Sequence, residues 1–319
     1  LSRAAFVPCS DPFVSLLFSK LFKEVWQDEV DKLYVCYNSD IDRKIVDYVE
    51  KRFRESPKVV WIYVDHGIGN GEPINKCLNI CEEDLILLLE DDSYIYKKGA
   101  VDGCFKRIEN GECDALGSPR GSCDNELYNI AMLRFKNPQG YYGDIGPNFW
   151  PAFFFVKRKD LLRTDQNFAS KTFPAGAWVK ELGWAPTVDQ CSDTFVWASI
   201  QLRAMGLRFC YVPQCKIYPE HTSLRDLDPF GWTHSGSLSS GWSGRLLRGH
   251  FSPDKLSHSA EFLEHARRVA FWTMAANLED YEEIAEFKKE YLRGIEGVIN
   301  QYGLDRERIA ERINGFKMI

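Results

Sequence analysis

Short apolar runs alternate with amphipathic stretches through the first hundred residues of this 319-residue chain, the pattern of successive βαβ units around a parallel sheet. Ala4 to Pro8 reads as a strand. Asp11 and Pro12 then set an N-cap ahead of a proline at the first helical position, and Val14, Leu17, Leu21 and Val25 form one stripe of a helix reaching Trp26. Lys32 to Tyr37 is a second strand, Ile41 to Phe53 a helix, Val59 to Val64 a third strand and Pro73 to Cys81 a short helix. Leu85 to Leu89 is the fourth strand. Its five aliphatics show no polar alternation, so both faces are covered. Glu90, Asp91 and Asp92 follow at its carboxyl end, where open α/β sheets bind ligands.

Farther on, Ala115 to Gly117 and Phe153 to Val156 read as strands, Asp189 to Met205 as a helix stopped by Gly206, and Arg208 to Val212 and Cys215 to Tyr218 as two short strands. Residues 229–253 are too rich in Gly and Ser for regular structure and too aromatic for an inert linker. A mobile functional loop is expected there. From Ser257 the tail is helical, with Phe262, Ala266, Val269, Trp272 and Thr273 as its packing stripe. The expectation is an α/β fold, a mostly parallel sheet flanked by helices with a C-terminal helical extension. A catalytic domain would span 1–256, divided into 1–116 and 117–256, and the extension 257–319.

A 45% hydrophobic fraction excludes disorder and supplies a real core. Ten cysteines occur without a CxxC pair, which argues for buried reduced thiols and a cytoplasmic protein rather than a zinc site or a disulfide framework. No apolar run approaches the roughly 18 residues that cross a bilayer. The net charge of -6 is uneven, about -7 over 1–116, +4 over 117–258 and -3 over 259–319; an anionic ligand would suit the middle third, against the alternative of solvated surface charge.

Hard carboxylate oxygens at a strand end suit Mg²⁺ or Mn²⁺, ions that commonly bridge phosphate oxygens. The order of parts around them resembles the GT-A fold glycosyltransferases, in particular the large inverting family, over about 220 residues. Gly67-Ile68-Gly69-Asn70-Gly71, then Ile74-Asn75, then the aliphatic strand ending in Glu90-Asp91-Asp92, is similar to that family's path to its Asp-x-Asp motif. Glu90 departs from type in the first place of that motif, and Ile74 stands where an Arg is usual.

The resemblance implies that Asp92 holds the metal while Glu90 or Asp91 faces the ribose or a water on the ion. It also implies that Asp193, in Cys191-Ser192-Asp193-Thr194-Phe195, takes the acceptor proton, with Ser192 replacing the usual Glu. His221, just past a strand, would be a second metal ligand, with His234 as its competitor. Nucleotide contacts are expected from the ends of the first three strands, at Pro8, Ser10, Asn38, Asp40 and Asp65, and from Asn75. The donor would be a nucleotide sugar, a UDP-sugar foremost. Trp232, Trp242 and Arg245 in the Gly-rich loop would fold over it and exclude water.

The acceptor is the least legible part. The GSLSSGW segment and the Gly117 to Gly121 turn loosely resemble glycosyltransferases that decorate 5-hydroxymethylpyrimidines in phage DNA. On that likeness DNA is the acceptor and Arg120, Lys157 and Arg158 contact its phosphates. A glycan or small-molecule acceptor, a nucleotidyltransferase and a non-catalytic binding module are the competing readings. A nucleotidyltransferase needs a Gly-rich basic signature after the first strand, and Pro8-Cys9-Ser10-Asp11-Pro12-Phe13 has none.

Overall fold

The computed structural model describes residues 1–37, 42–64, 71–118, 123–135, 149, 151–213, 231–234, 266–267, 270–275 and 281–315. Strands β1 (Arg3–Cys9), β2 (Lys32–Tyr37), β3 (Val59–Tyr63), β4 (Leu85–Leu89), β6 (Ala115–Gly117), β7 (Phe153–Lys157) and β10 (Phe209–Tyr211) form a seven-stranded sheet in the order β10-β6-β7-β4-β1-β2-β3. All pairings are parallel except those of β7, which runs antiparallel to both β4 and β6. The expected α/β class, a mostly parallel sheet with flanking helices and C-terminal helices, is what forms. No helix of the described residues is long and apolar enough to cross a membrane.

Alternation along the strands sorts side chains to the two faces. On β4, Leu85, Leu87 and Leu89 enter one apolar core and Ile86 and Leu88 the other. The first core is closed by helices α1 (Pro12–Leu21), α2 (Arg43–Phe53) and α4 (Ala100–Glu109); α3 (Gly71–Ile80) and α7 (Val196–Ala204) close the second. Asp11 caps α1 as expected, its Oδ1 accepting from the N–H groups of Phe13 and Val14. After Leu21 the helix widens into a π turn over Phe22–Trp26, which seats Phe22 and Trp26 fully in the core.

A third, smaller cluster joins α5 (Asn125–Arg134) to a hairpin of β8 (Lys171–Phe173) and β9 (Gln190–Ser192). Here the sequence reading fails. The helix expected over Asp189 to Met205 begins only at Val196, because Gln190–Ser192 pairs with β8 and Phe195 takes a left-handed φ of 68°. Asp193 therefore sits in the strand-to-helix turn. Of the tail, residues 270–275, α8 (Ala285–Gln301) and α9 (Arg306–Gly315) are helical, and Phe271, Trp272, Ile295 and Ile309 belong to the first core.

The order β3-β2-β1-β4 reverses direction between β1 and β4. Such a switch point leaves a crevice beyond the carboxyl ends of the two strands.

Candidate active site

That crevice is built from three turns. β4 ends at Leu89, and Glu90, Asp91 and Asp92 lead through a tight turn, with Ser93 N–H donating to the Glu90 carbonyl at 3.0 Å, into β5 (Ser93–Ile95). Strand β11 (Trp232–His234) pairs antiparallel with β5, setting His234 opposite Ser93. The segment around 229–253 is thus not wholly irregular. Gly231 at φ 74° turns the chain in, and a Cβ there would meet Lys97 at 2.2 Å.

Pairing brings His234 Nε2 to 3.0 Å from Asp92 Oδ1 and 3.1 Å from Glu90 Oε2. One ligand atom from each of Glu90, Asp92 and His234 lies within 4.8 Å of the others, the one such metal-competent group among the described residues. The three side chains are largely shielded from solvent. Burial opposes protonation of the imidazole, but the Asp92 and Glu90 carboxylates outweigh it and hold the ring near pKa 9. Glu90 is pushed above the ordinary carboxylate range by burial, with His234 opposing and Asp92 and Asp193 adding repulsion. That repulsion places Asp193 within electrostatic reach of the cluster.

Asp91 points elsewhere. Its Oδ2 accepts from the N–H of Ser10 at 2.9 Å, the N–H of Asp11 at 3.3 Å and the hydroxyl of Ser15 at 3.0 Å. Burial, then the neighbouring Asp92, pushes its pKa up to about 8. The expected contact of Asp91 with a ribose or a metal-bound water is corrected: the carboxylate is committed to the β1–α1 turn. It clasps the ends of β1 and β4, the two strands flanking the switch point, and nothing in an acidic triplet distinguishes that role beforehand.

Asp193 follows β9 and keeps part of its surface in solvent. The burial of the rest raises its pKa, opposed by the Thr194 N–H at 2.7 Å. Its turn is fixed from below: Phe195 N–H donates to the Phe168 carbonyl at 2.8 Å, and the Phe195 ring packs on Phe154 and Phe168. Gly71, opening α3, touches the same wall, since a Cβ there would lie 2.2 Å from the Ala169 nitrogen. Helix α3 and the wall below the Asp193 turn are thereby held in close contact.

Other expected residues scatter. Pro8 and Ser10 lie at the carboxyl end of β1 beside the cluster, and Asn75 is half-buried on α3. Trp232 is no stacking platform: it is 1% exposed, stacks on Phe153 at 4.3 Å and donates its indole N–H to the Pro213 carbonyl. Lys157 and Arg158 lie at the end of the sheet opposite the cluster. Lys157 pairs with Leu85, at the start of β4, whereas Phe153 pairs with Leu89 beside the site. A cavity of about 340 Å³ at that far end, lined in part by Glu83, Lys157 and Arg158, takes no part in the cluster. Asn38, Asp40, Asp65, Arg120, His221, Trp242 and Arg245 lie outside the described residues. His234, the lesser candidate in the sequence, is the histidine that the described structure brings to the carboxylates. The signal was Trp232-Thr233, two strand-favouring residues after a glycine and directly before His234.

Nine cysteines of the described residues are free, seven of them buried.

No protein-family model matches the chain, and no curated protein does. Solved structures do. The chain is similar to a mannosyltransferase of Pyrobaculum calidifontis, determined in complex with GDP-Man and Mn²⁺, at 13% identity and a TM-score of 0.46 over 97% of this chain and 85% of the other. It is similar to TarS 1-349 of S. aureus at 14% identity and a TM-score of 0.43, over 95% and 72%. A third likeness is the glucosyl-3-phosphoglycerate synthase of Mycobacterium tuberculosis with Mn²⁺, UDP-glucose and glycerol 3-phosphate, at 14% identity and a TM-score of 0.37 over 50% and 58%.

Proposed function

We propose that this chain is a metal-dependent glycosyltransferase that moves a sugar from a nucleoside diphosphate to an acceptor hydroxyl. The observation that carries the reading is the convergence of Glu90, Asp92 and His234 at the switch point of the sheet, with the Asp193 carboxylate adding its charge at Glu90. The donor set fits a divalent cation: two hard carboxylates and one imidazole suit Mn²⁺, and Mg²⁺ less well because of the nitrogen ligand. Glu90, Asp92 and His234 would hold it. Such an ion, when bound, neutralises charge on the departing diphosphate.

The chain's own residues supply the rest. Asp193 takes the proton of the acceptor hydroxyl as its oxygen attacks the anomeric carbon, a single displacement with inversion. Its raised pKa makes it a better proton acceptor than an ordinary Asp. Asp91 holds the β1–α1 turn, and with it Ser10, against the cluster, so the surface receiving the nucleotide and the metal ligands are fixed to each other. A UDP-sugar is the donor class proposed.

The test is incubation with Mn²⁺, a panel of nucleotide sugars and two acceptor sets, neutral glycans and DNA containing 5-hydroxymethylpyrimidines, followed by mass analysis of the products. Transfer that EDTA abolishes and that Asp193→Asn eliminates supports the reading; metal-independent transfer, or none with any donor, contradicts it. The DNA arm tests the acceptor that the looser resemblance implies.

A further inference from the structure

The β8–β9 hairpin carries a feature that the chemistry above leaves unused. Residues 174–189 join its strands, and Trp178 among them is 69% exposed. An exposed indole on a loose loop is unremarked surface, but this loop is built. Val179 and Leu182 bury beneath it. The N–H of Gly176 donates to the Pro186 carbonyl at 2.8 Å and that of Val179 to Trp184 at 2.7 Å. Glu126 on α5 accepts from the Trp184 indole at 3.1 Å and from the Thr187 N–H and hydroxyl at 3.0 and 2.7 Å, while Asp189 accepts from the Ala175 N–H. The fold holds Trp178 out in water at low conformational entropy, which is how aromatic anchors present contact area cheaply.

Its place gives it a partner. Strand β9 runs from the near end of this loop into Asp193, and Trp178 lies farther out along the same hairpin, beside the Val179–Trp184 bridge. Whatever offers its hydroxyl at Asp193 and extends outward along the hairpin passes toward Trp178. Charge narrows the class. Residues 165–193 carry Asp165, Glu181, Asp189 and Asp193 against Lys171 and Lys180, and Lys171 is already engaged with Asp165 and the Trp197 ring. A net negative face repels a polyanion and suits a neutral chain whose C–H faces stack on an indole.

We infer that Trp178 is the platform of an extended acceptor subsite for a neutral oligosaccharide. The inference rests on the glycosyltransferase reading for the identity of the reacting end, but not for the binding itself.

Binding is therefore measured without donor. Hexasaccharides of glucose, mannose, galactose and N-acetylglucosamine and a 20-nucleotide single-stranded DNA are titrated into the full chain and its Trp178→Ala and Trp178→Phe variants by calorimetry. Melting temperature and sedimentation are followed in parallel. At least one hexasaccharide should bind, Trp178→Ala should weaken it about tenfold or more at unchanged melting temperature, and Trp178→Phe should recover most of the loss. Equal binding by wild type and Trp178→Ala, no hexasaccharide binding at all, a Trp178-dependent affinity for the DNA alone, or a dimer that Trp178→Ala dissociates each overturns the proposal. Should wild type consume no nucleotide sugar while Trp178-dependent hexasaccharide binding persists, the catalytic reading falls and the subsite stands.

Discussion

At the residue scale the account divides the acidic triplet by direction. Glu90 and Asp92 face His234, while Asp91 faces the β1–α1 turn. Asp92→Ala should lose Mn²⁺-dependent donor binding, and Asp193→Asn should keep donor and metal binding yet lose transfer; calorimetry with UDP and Mn²⁺ beside a transfer assay separates the two. His234→Ala should weaken Mn²⁺ binding at least tenfold, and more than His221→Ala does. For pH the sign follows from the role: a base must be ionised, so kcat/KM falls as pH drops through the Asp193 pKa. Because that pKa is raised, the fall comes above the ordinary aspartate value of about 3.9. A profile flat to below pH 4 would remove Asp193 from that role. The sequence offered Asp92 and Asp193 through chemistry and order in the chain. It offered His221 and His234 together; His221 lies outside the described residues, and what brings His234 to the carboxylates is the β5–β11 pairing, a contact between segments about 140 residues apart.

At the element scale, regular pieces with strong periodicity were legible and short ones were not. β2, β4 and β6 match their expected limits, since buried runs of apolar residues have one place to go. β9 was missed because Gln190-Cys191-Ser192 has no apolar signature and is made a strand by its pairing with β8 and a bridge from Ser192 to Cys123. The left-handed Phe195 that starts α7 is a cost of order 1 kcal/mol accepted for its ring contacts. Phe195→Ala keeps the backbone strain and adds a cavity, so a loss of about 3–5 kcal/mol is expected in urea unfolding. Gly71→Ala would force Ala169 and α3 apart. The expected loss is about 1–3 kcal/mol, with transfer falling more than stability alone explains, because donor and acceptor walls part.

At the scale of the whole molecule the tail is part of the core. Trp272 packs on Tyr94 of β5 at 4.8 Å and Phe287 stacks on Phe13 of α1 at 5.5 Å, so the tail presses from behind on the strand that pairs with His234. Deleting residues 257–319 should expose Phe13 and Tyr94 and abolish Mn²⁺ binding together with cooperative unfolding. The packing stripe in the tail was readable at Ala266, Trp272 and Thr273, all buried; which strand it would meet was not, because helical spacing names a face and not its partner. The central claim is that three side chains from the β4–β5 turn and β11 form one metal site. Anomalous diffraction from crystals soaked with Mn²⁺ and UDP tests it most directly. The account predicts a manganese peak coordinated by Glu90, Asp92 and His234, whereas a peak held by other residues, with His234 turned away, would contradict it.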